Sequence, residues 1–287
     1  LHIFLRPSFR DPENIACVEA MMIFDGVQQD SSFPSTSIGN FQKKSNLPNI
    51  RAKIGSEILP DRENPMWSDF KSRYWEKKPL AKKSHPVKDS SISQQEMLSI
   101  IIHGGELYRQ GEEVPIRMYI ENDSISDMGP YLPIPSDQTL EGYHKRVQNL
   151  IGGRKFFLTW NQIHQWSPLV FEKSRTFFST LYSQVGFPPQ YADVMIFMGD
   201  YEKTPFGVHV DYAANFTFPV LGQKRLRVWS EEYVNKSSDL KGSLQYEKHL
   251  SSSTLLTSPP KGMIYMPSTA YHIGEPSGAF TVSYSFV

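Results

Sequence analysis

The chain has 287 residues, 39% of them apolar and 13% aromatic, with 30 Lys plus Arg against 30 Asp plus Glu and a single cysteine, Cys17. That length buries a substantial core and suits one β-barrel domain with decorations. Balanced charge argues against nucleic acid or an anionic membrane as partner, leaving open a local basic groove, and one cysteine excludes both an intrachain disulfide framework and a thiolate-rich zinc site.

Cysteine usage also points to a reducing compartment, so a cytoplasmic location is expected. Leu1 to Asp11 carries Arg6, Pro7 and Arg10 in place of a long apolar run. No later stretch approaches the roughly 18 apolar residues of a membrane span. From about Asp30 to Pro65 the chain is rich in Ser, Asn, Pro and Lys with little periodicity, which predicts irregular structure wrapping the rest. A helix is expected from about Ser136 to Leu150, ended by Gly152 and Gly153. A second has Ser167 as N-cap, Pro168 in its first turn, apolar Val170, Phe171, Phe177, Phe178, Leu181 and Val185, and a stop at Gly186.

From Asp193 onward the pattern changes to short aromatic and β-branched runs. VMIF (194–197), NFTFPVLG (215–222), KRLRVW (224–229), MIYM (263–266) and AFTVSYSFV (279–287) read as strands separated by Gly and Pro turns. Strands at this density after a helical region predict a jelly-roll type of β architecture. The polar stretch between Ser230 and Pro260 is expected to be a loop, either a mobile flap over the site or a plain connector.

His209 and Asp211 stand two apart, so on an extended segment both point to one face. Alone this means little: eight histidines, each with about a one in ten chance of an acidic residue two places on, yield about one such pair by accident. His272, following a Pro-Gly turn, a short apolar strand and an aromatic, is the candidate third member. Two His and one carboxylate form the face that leaves positions open on non-haem Fe(II). Lys224 is a separate signal. Strand alternation puts it on the face of Leu226 and Val228, opposite Arg225, Arg227 and Trp229. An ammonium on an apolar face is costly unless it reaches water or meets an anion such as a bound dicarboxylate.

Residues 204–225 (TPFGVHVDYAANFTFPVLGQKR) and 259–275 (PPKGMIYMPSTAYHIGE) resemble the Jumonji-C branch of the cupin oxygenases. The spacing is most similar to the factor-inhibiting asparaginyl hydroxylase subgroup, over about Phe70 to Val287. In that subgroup the metal His is followed by Asp two residues on, by an Asn near the co-substrate six on, and by a Lys for the distal carboxylate of 2-oxoglutarate fifteen on. Those offsets fall on His209, Asp211, Asn215 and Lys224. IRMYIEN (116–122) is similar to the family strand whose Tyr binds the same carboxylate, which makes Tyr119 the matching position, with a core tyrosine as the alternative. FKSRYWEKKPL (70–80) resembles the entry to such domains, with a packing role. The family's Thr lies three residues before the metal His, whereas Thr204 lies five before His209. On the last strand the second polar contact falls on Ser283 or Tyr284.

The resemblance implies a mainly β chain with helices: a cupin double-stranded β-helix over residues 70–287 and an N-terminal α/irregular extension over 1–69. It implies His209, Asp211 and His272 as ligands of Fe(II), and Lys224, Tyr119, Asn215 and Thr204 around 2-oxoglutarate as co-substrate. The implied reaction is hydroxylation of an amino-acid side chain in a peptide, a protein or a small amino-acid-like metabolite, with succinate and carbon dioxide as co-products; demethylation is the outcome when the attacked carbon is bonded to nitrogen. Three alternatives stay open: a metal-dependent cupin enzyme without 2-oxoglutarate, a transfer-RNA base hydroxylase, and a Jumonji-like binding scaffold without catalysis. A stop at Val287, without the C-terminal helices through which such relatives dimerise, makes a monomer the expectation.

Overall fold

The computed structural model describes residues 65–121, 123–187, 192–276 and 279–287. The chain divides into two compact units at residues 57 and 58, and every described residue belongs to the second. The irregular region expected from Asp30 to Pro65, Pro65 itself excepted, and nearly all of the extension expected over 1–69 lie outside the described residues. The anticipated boundary at residue 70 falls inside helix α1 (Pro65–Arg73), whose Trp67 and Phe70 are buried in the core.

After α1 come β1 (Leu80–Lys82), α2 (Gln94–Arg109), β2 (Ile116–Ile120), β3 (Asp123–Ser124), α3 (Leu140–Ile151), β4 (Phe156–Trp160) and α4 (Pro168–Val185). The remainder is β5 (Val194–Gly199), β6 (Asn215–Leu221), β7 (Lys224–Trp229), α5 (Glu231–Lys236), β8 (Thr254–Ser258), β9 (Met263–Met266), β10 (Tyr271–Gly274) and β11 (Thr281–Phe286). Local chemistry explains the helix ends. Ser167 accepts the Val170 N–H before Pro168 opens α4, and Gly186 closes it. Ser93 and Glu96 form a reciprocal capping box at the start of α2. The helix expected from Ser136 starts later. Pro135–Asp137 is a separate 3-10 turn held by Arg146 on Asp137, and Thr139 caps α3 by accepting the Gly142 N–H.

Among the described residues all strand pairs are antiparallel. One sheet runs β1-β9-β6-β11-β5-β4-β2-β3 and the other β10-β7-β8, with the segment at His209 bridged to His272 beside β10. From β5 onward the chain goes to the large sheet, to the His209 segment, back to β6, then to β7 and β8, to β9, to β10 and finally to β11. This alternation between two facing sheets is the winding of a double-stranded β-helix, in which β9, β6, β11 and β5 face the small sheet. The fold is the expected cupin jelly roll with helices.

Period-two alternation sorts the side chains of the large sheet. Val194, Ile196, Met198, Phe216, Phe218, Val282, Tyr284 and Phe286 face outward and pack with Ile101 of α2 and Phe177 of α4 in the main core. The opposite residues face the barrel interior, where Leu226, Val228, Ile264, Met266 and Ala270 form a smaller apolar cluster. Among the described residues no helix is long and apolar enough to cross a membrane.

The polar stretch from Ser230 to Pro260 is not a loop. It forms α5, two 3-10 turns and β8, and β8 pairs with β7 along five residues. Val234, Leu240 and Tyr246 are buried against Val208, Trp229 and Ile273 on the outer face of the small sheet. The Trp229 indole donates to the His249 carbonyl (3.0 Å). A few apolar side chains spaced among polar ones suffice to anchor the segment, and of their partners Trp229 adjoins it while Val208 and Ile273 come from elsewhere in the chain.

Candidate metal centre

His209 and His272 sit directly opposite each other across an antiparallel bridge: the His209 N–H donates to the His272 carbonyl (3.1 Å) and the His272 N–H to that of His209 (2.7 Å). Opposed residues send their side chains to one face. The two rings lie 4.5 Å apart between centroids. Each ring is oriented in the same way. Nδ1–H of His209 donates to the Gly207 carbonyl (2.9 Å) and Nδ1–H of His272 to the Ala270 carbonyl (3.1 Å). Both Nε2 lone pairs are thereby left for a ligand.

Those nitrogens point to Asp211. His209 Nε2 lies 3.7 Å from Oδ1 and His272 Nε2 lies 3.7 Å from Oδ2, and one donor atom from each of the three residues falls within 4.8 Å of the others. Bonds of about 2.1 Å in a facial arrangement place neighbouring donors about 3 Å apart, so the three fit one ion once the most distant pair closes by up to about 1.8 Å. His272 is buried, whereas the side chains of His209 and Asp211 are 31% and 24% exposed, so the open side of the site faces the barrel mouth. Burial lowers the His272 pKa, opposed by the Asp211 carboxylate and assisted by His209. The neutral imidazole that a metal requires is the favoured form.

Asn215, expected beside a co-substrate, touches the Asp211 carboxylate. Its Nδ2 donates to Asp211 Oδ2 (2.9 Å), while its Oδ1 accepts the Thr217 hydroxyl (2.9 Å), which in turn lies 2.9 Å from Ser285 Oγ. With its proton on Asn215, Thr217 is the acceptor for Ser285. The relay thus runs in one direction, from β11 through β6 to Asp211, and holds the carboxylate in place.

Lys224 is buried on the interior face and its Nζ lies 4.8 Å from the centre of the Phe197 ring of β5. Burial pushes its pKa down to about 8, and the Asp211 carboxylate is what pulls the other way. Tyr119 is half-buried on the interior face of β2, edge-on to Phe206, whose ring is in turn edge-on to His209. One aromatic ring separates it from the metal ligands. Thr204 is buried, but its hydroxyl accepts the Gly274 N–H (3.1 Å) and its backbone N–H donates to the Gly274 carbonyl (3.0 Å). Its observed contacts tie the His209 segment to β10 and show none with Lys224.

The register of β11 distinguishes Ser283 from Tyr284. Ser283 pairs with Phe197, beneath Lys224, and is buried on the interior side. Tyr284 points into the main core, where its hydroxyl accepts the Ile92 N–H (3.2 Å) and lies 3.0 Å from His85 Nε2. The supporting pair Thr217 and Ser285 went unread in the sequence. The signal was present: in TVSYSF, Ser283 and Ser285 alternate with Val282, Tyr284 and Phe286, a hydroxyl-bearing face inside a barrel.

No protein-family model matches the chain, and no curated protein matches it. Among solved structures it is similar to an X-ray structure of YcfD from Escherichia coli, at 17% identity and a TM-score of 0.46, over 77% of this chain and 52% of that one. It is also similar to YcfD, described as a ribosomal oxygenase, in complex with cobalt and 2-oxoglutarate (19% identity, TM-score 0.45, 77% and 51% of the two chains). A third is YcfD with cobalt and succinic acid (18%, TM-score 0.42, 77% and 51%). The chain spans about half the length of these structures. Likeness at this level leaves the chemistry of the site to its own residues.

Proposed function

We propose that the protein is an Fe(II)- and 2-oxoglutarate-dependent oxygenase that hydroxylates an amino-acid side chain, in a peptide, a protein or a small amino-acid-like metabolite. The observation that carries this reading is the presence, inside one barrel, of a two-His, one-carboxylate face and a buried ammonium. The face alone suits any metal-dependent cupin enzyme. A buried lysine held down at about 8 calls for an anionic partner, and a dicarboxylate bound at the metal by one end would supply it at the other.

The residues divide the work. His209, Asp211 and His272 would hold the iron by Nε2, one carboxylate oxygen and Nε2, leaving the remaining positions to co-substrate and dioxygen. Lys224 would neutralise the distal carboxylate, with Tyr119 beside it, and Asn215 keeps Asp211 oriented. The apolar interior of Leu226, Val228, Ile264 and Met266 limits water around the reacting centre. The chemistry supplied by bound iron and co-substrate is the coupling of oxidative decarboxylation, giving succinate and carbon dioxide, to hydroxylation.

The test is anaerobic loading with Fe(II) and 2-oxoglutarate, followed by oxygen and separate panels of peptides, free amino acids and transfer RNA, with succinate and hydroxylated product quantified. Accelerated succinate formation matched by hydroxylated peptide or amino acid, and lost in Asp211→Ala, is the expected result. Iron bound at the site without any 2-oxoglutarate turnover would sink the oxygenase reading, and acceleration by RNA alone would replace the substrate class.

A further inference from the structure

The barrel interior holds a second donor, next to the ring over which Lys224 lies, that has no hydrogen-bond partner among the described residues. Arg117, Thr159, Phe197 and Ser283 lie side by side at one rung of β2, β4, β5 and β11. Thr159 faces inward, because its neighbours Leu158 and Trp160 belong to the helix-side core. It is 4% exposed, and its Oγ1 has no hydrogen-bond partner among the described residues. Most buried hydroxyls are satisfied, so an orphan calls for an explanation.

Its surroundings supply one. Phe197, the cross-strand partner of Thr159, is the ring over which Lys224 Nζ sits at 4.8 Å. Directly opposed Cβ atoms are about 5 Å apart, within reach of one small ligand group. On the other side of the same ring, Ser283 Oγ reaches the Phe197 carbonyl only at 3.5 Å, the outer limit of a hydrogen bond. An ammonium and two weakly engaged or free hydroxyls thus surround one aromatic floor. A carboxylate has about four lone-pair positions on two oxygens and can take the ammonium and one hydroxyl; Ser283, about 10 Å from Thr159 across the Phe197 strand, is too far to share the same carboxylate with it.

We propose that Thr159 Oγ1 donates to the distal carboxylate of the bound dicarboxylate, beside Lys224. This rests on the 2-oxoglutarate reading of the site. It makes Thr159, on a strand outside the motifs that carry the metal ligands, a determinant of which acid the site accepts. Succinate leaves with the same carboxylate intact, so the product should feel the same contact.

Thr159→Val keeps the side-chain shape and removes only the hydroxyl; Thr159→Ser keeps the hydroxyl. Each variant and the wild type would be loaded anaerobically with Fe(II) and titrated with 2-oxoglutarate and with oxalate, which chelates a metal but has no distal carboxylate. Melting of the metal-free proteins is measured in parallel. The expected result is a roughly ten- to hundredfold weaker 2-oxoglutarate affinity for Thr159→Val, near-wild-type affinity for Thr159→Ser, unchanged oxalate affinity, and metal-free melting no lower than wild type. Unchanged 2-oxoglutarate affinity in the Val variant, with normal wild-type binding, overturns the role of Thr159 alone. Equal losses for 2-oxoglutarate and oxalate overturn it by showing a general disturbance of the site. If the wild-type protein binds iron but not 2-oxoglutarate, the co-substrate reading falls and this inference falls with it.

Discussion

Replacing Lys224 by Met should make the ligand-free protein more stable, which is the opposite of what removing an ordinary lysine contact does. Burial holds the ammonium at about 8 against an ordinary 10.5. A difference of about 2.5 pK units, at 1.36 kcal/mol each, is a penalty of roughly 3 kcal/mol at neutral pH. Met fills the same volume without a charge and can lie on the Phe197 ring. For a chain of this size the gain corresponds to a rise in Tm of roughly 6–12 °C. The pH dependence has a definite sign. The folded-state pKa is depressed, so between about 8 and 10.5 the unfolded chain binds more protons and wild-type stability increases with pH. The penalty is therefore complete below about pH 8, and the advantage of the Met variant should shrink as pH approaches 10.5. Urea unfolding of both proteins at pH 7 and at pH 10, without metal or co-substrate, measures it. A Met variant equal to or weaker than wild type at pH 7, or an advantage of the same size at pH 10, would refute the argument. The same variant should lose the thermal stabilisation that 2-oxoglutarate confers on the iron-loaded wild type.

Four further outcomes follow from particular contacts. Asn215→Ala should weaken iron binding by roughly ten- to hundredfold by releasing Asp211 Oδ2, whereas His209→Ala should abolish both iron binding and succinate formation; metal analysis of the purified variants separates the two. Leu240→Ala should cost about 2–5 kcal/mol in urea unfolding, since the residue is fully buried under the small sheet, and a loss below about 0.5 kcal/mol would mean that the 230–260 segment is a detachable cover. Gly104→Ala should destabilise by about 1–3 kcal/mol or more, because a Cβ there would stand 1.4 Å from Trp160 Cη2; unchanged melting would show that α2 moves away without loss. Burial holds His85 and His164 each at about 4, so below about pH 6.5 the unfolded chain takes up protons that the folded chain refuses, and stability should fall by about 2 kcal/mol per residue by pH 5. Unfolding titrations of His85→Gln and wild type at pH 7 and pH 5 test this, the variant losing the smaller amount.

What the sequence determined by itself was whatever depends on residue identity and short spacing. Through the resemblance to the Jumonji-C oxygenases, the offsets from His209 to Asp211, Asn215 and Lys224 name candidate residues without any fold. The caps at Ser167 and Gly186 bound α4, and the inward set of Lys224, Leu226 and Val228 follows from alternation alone. The capping box of Ser93 and Glu96 was equally local and could have announced α2. Tertiary structure decided everything that depends on which strands meet. Only pairing across β5 and β11 places Ser283 beneath Lys224 and sends Tyr284 to the core, because a shift of one residue exchanges the two faces of a strand. That Asn215 donates to Asp211 is likewise visible only in the fold, since hydrogen-bond partners are set by distance in space. Ser230 to Pro260 reads as polar loop because its few apolar residues are scattered. They become a core only when Val208 and Ile273, from distant parts of the chain, join the adjoining Trp229 to bury them, an arrangement that no local window of sequence contains.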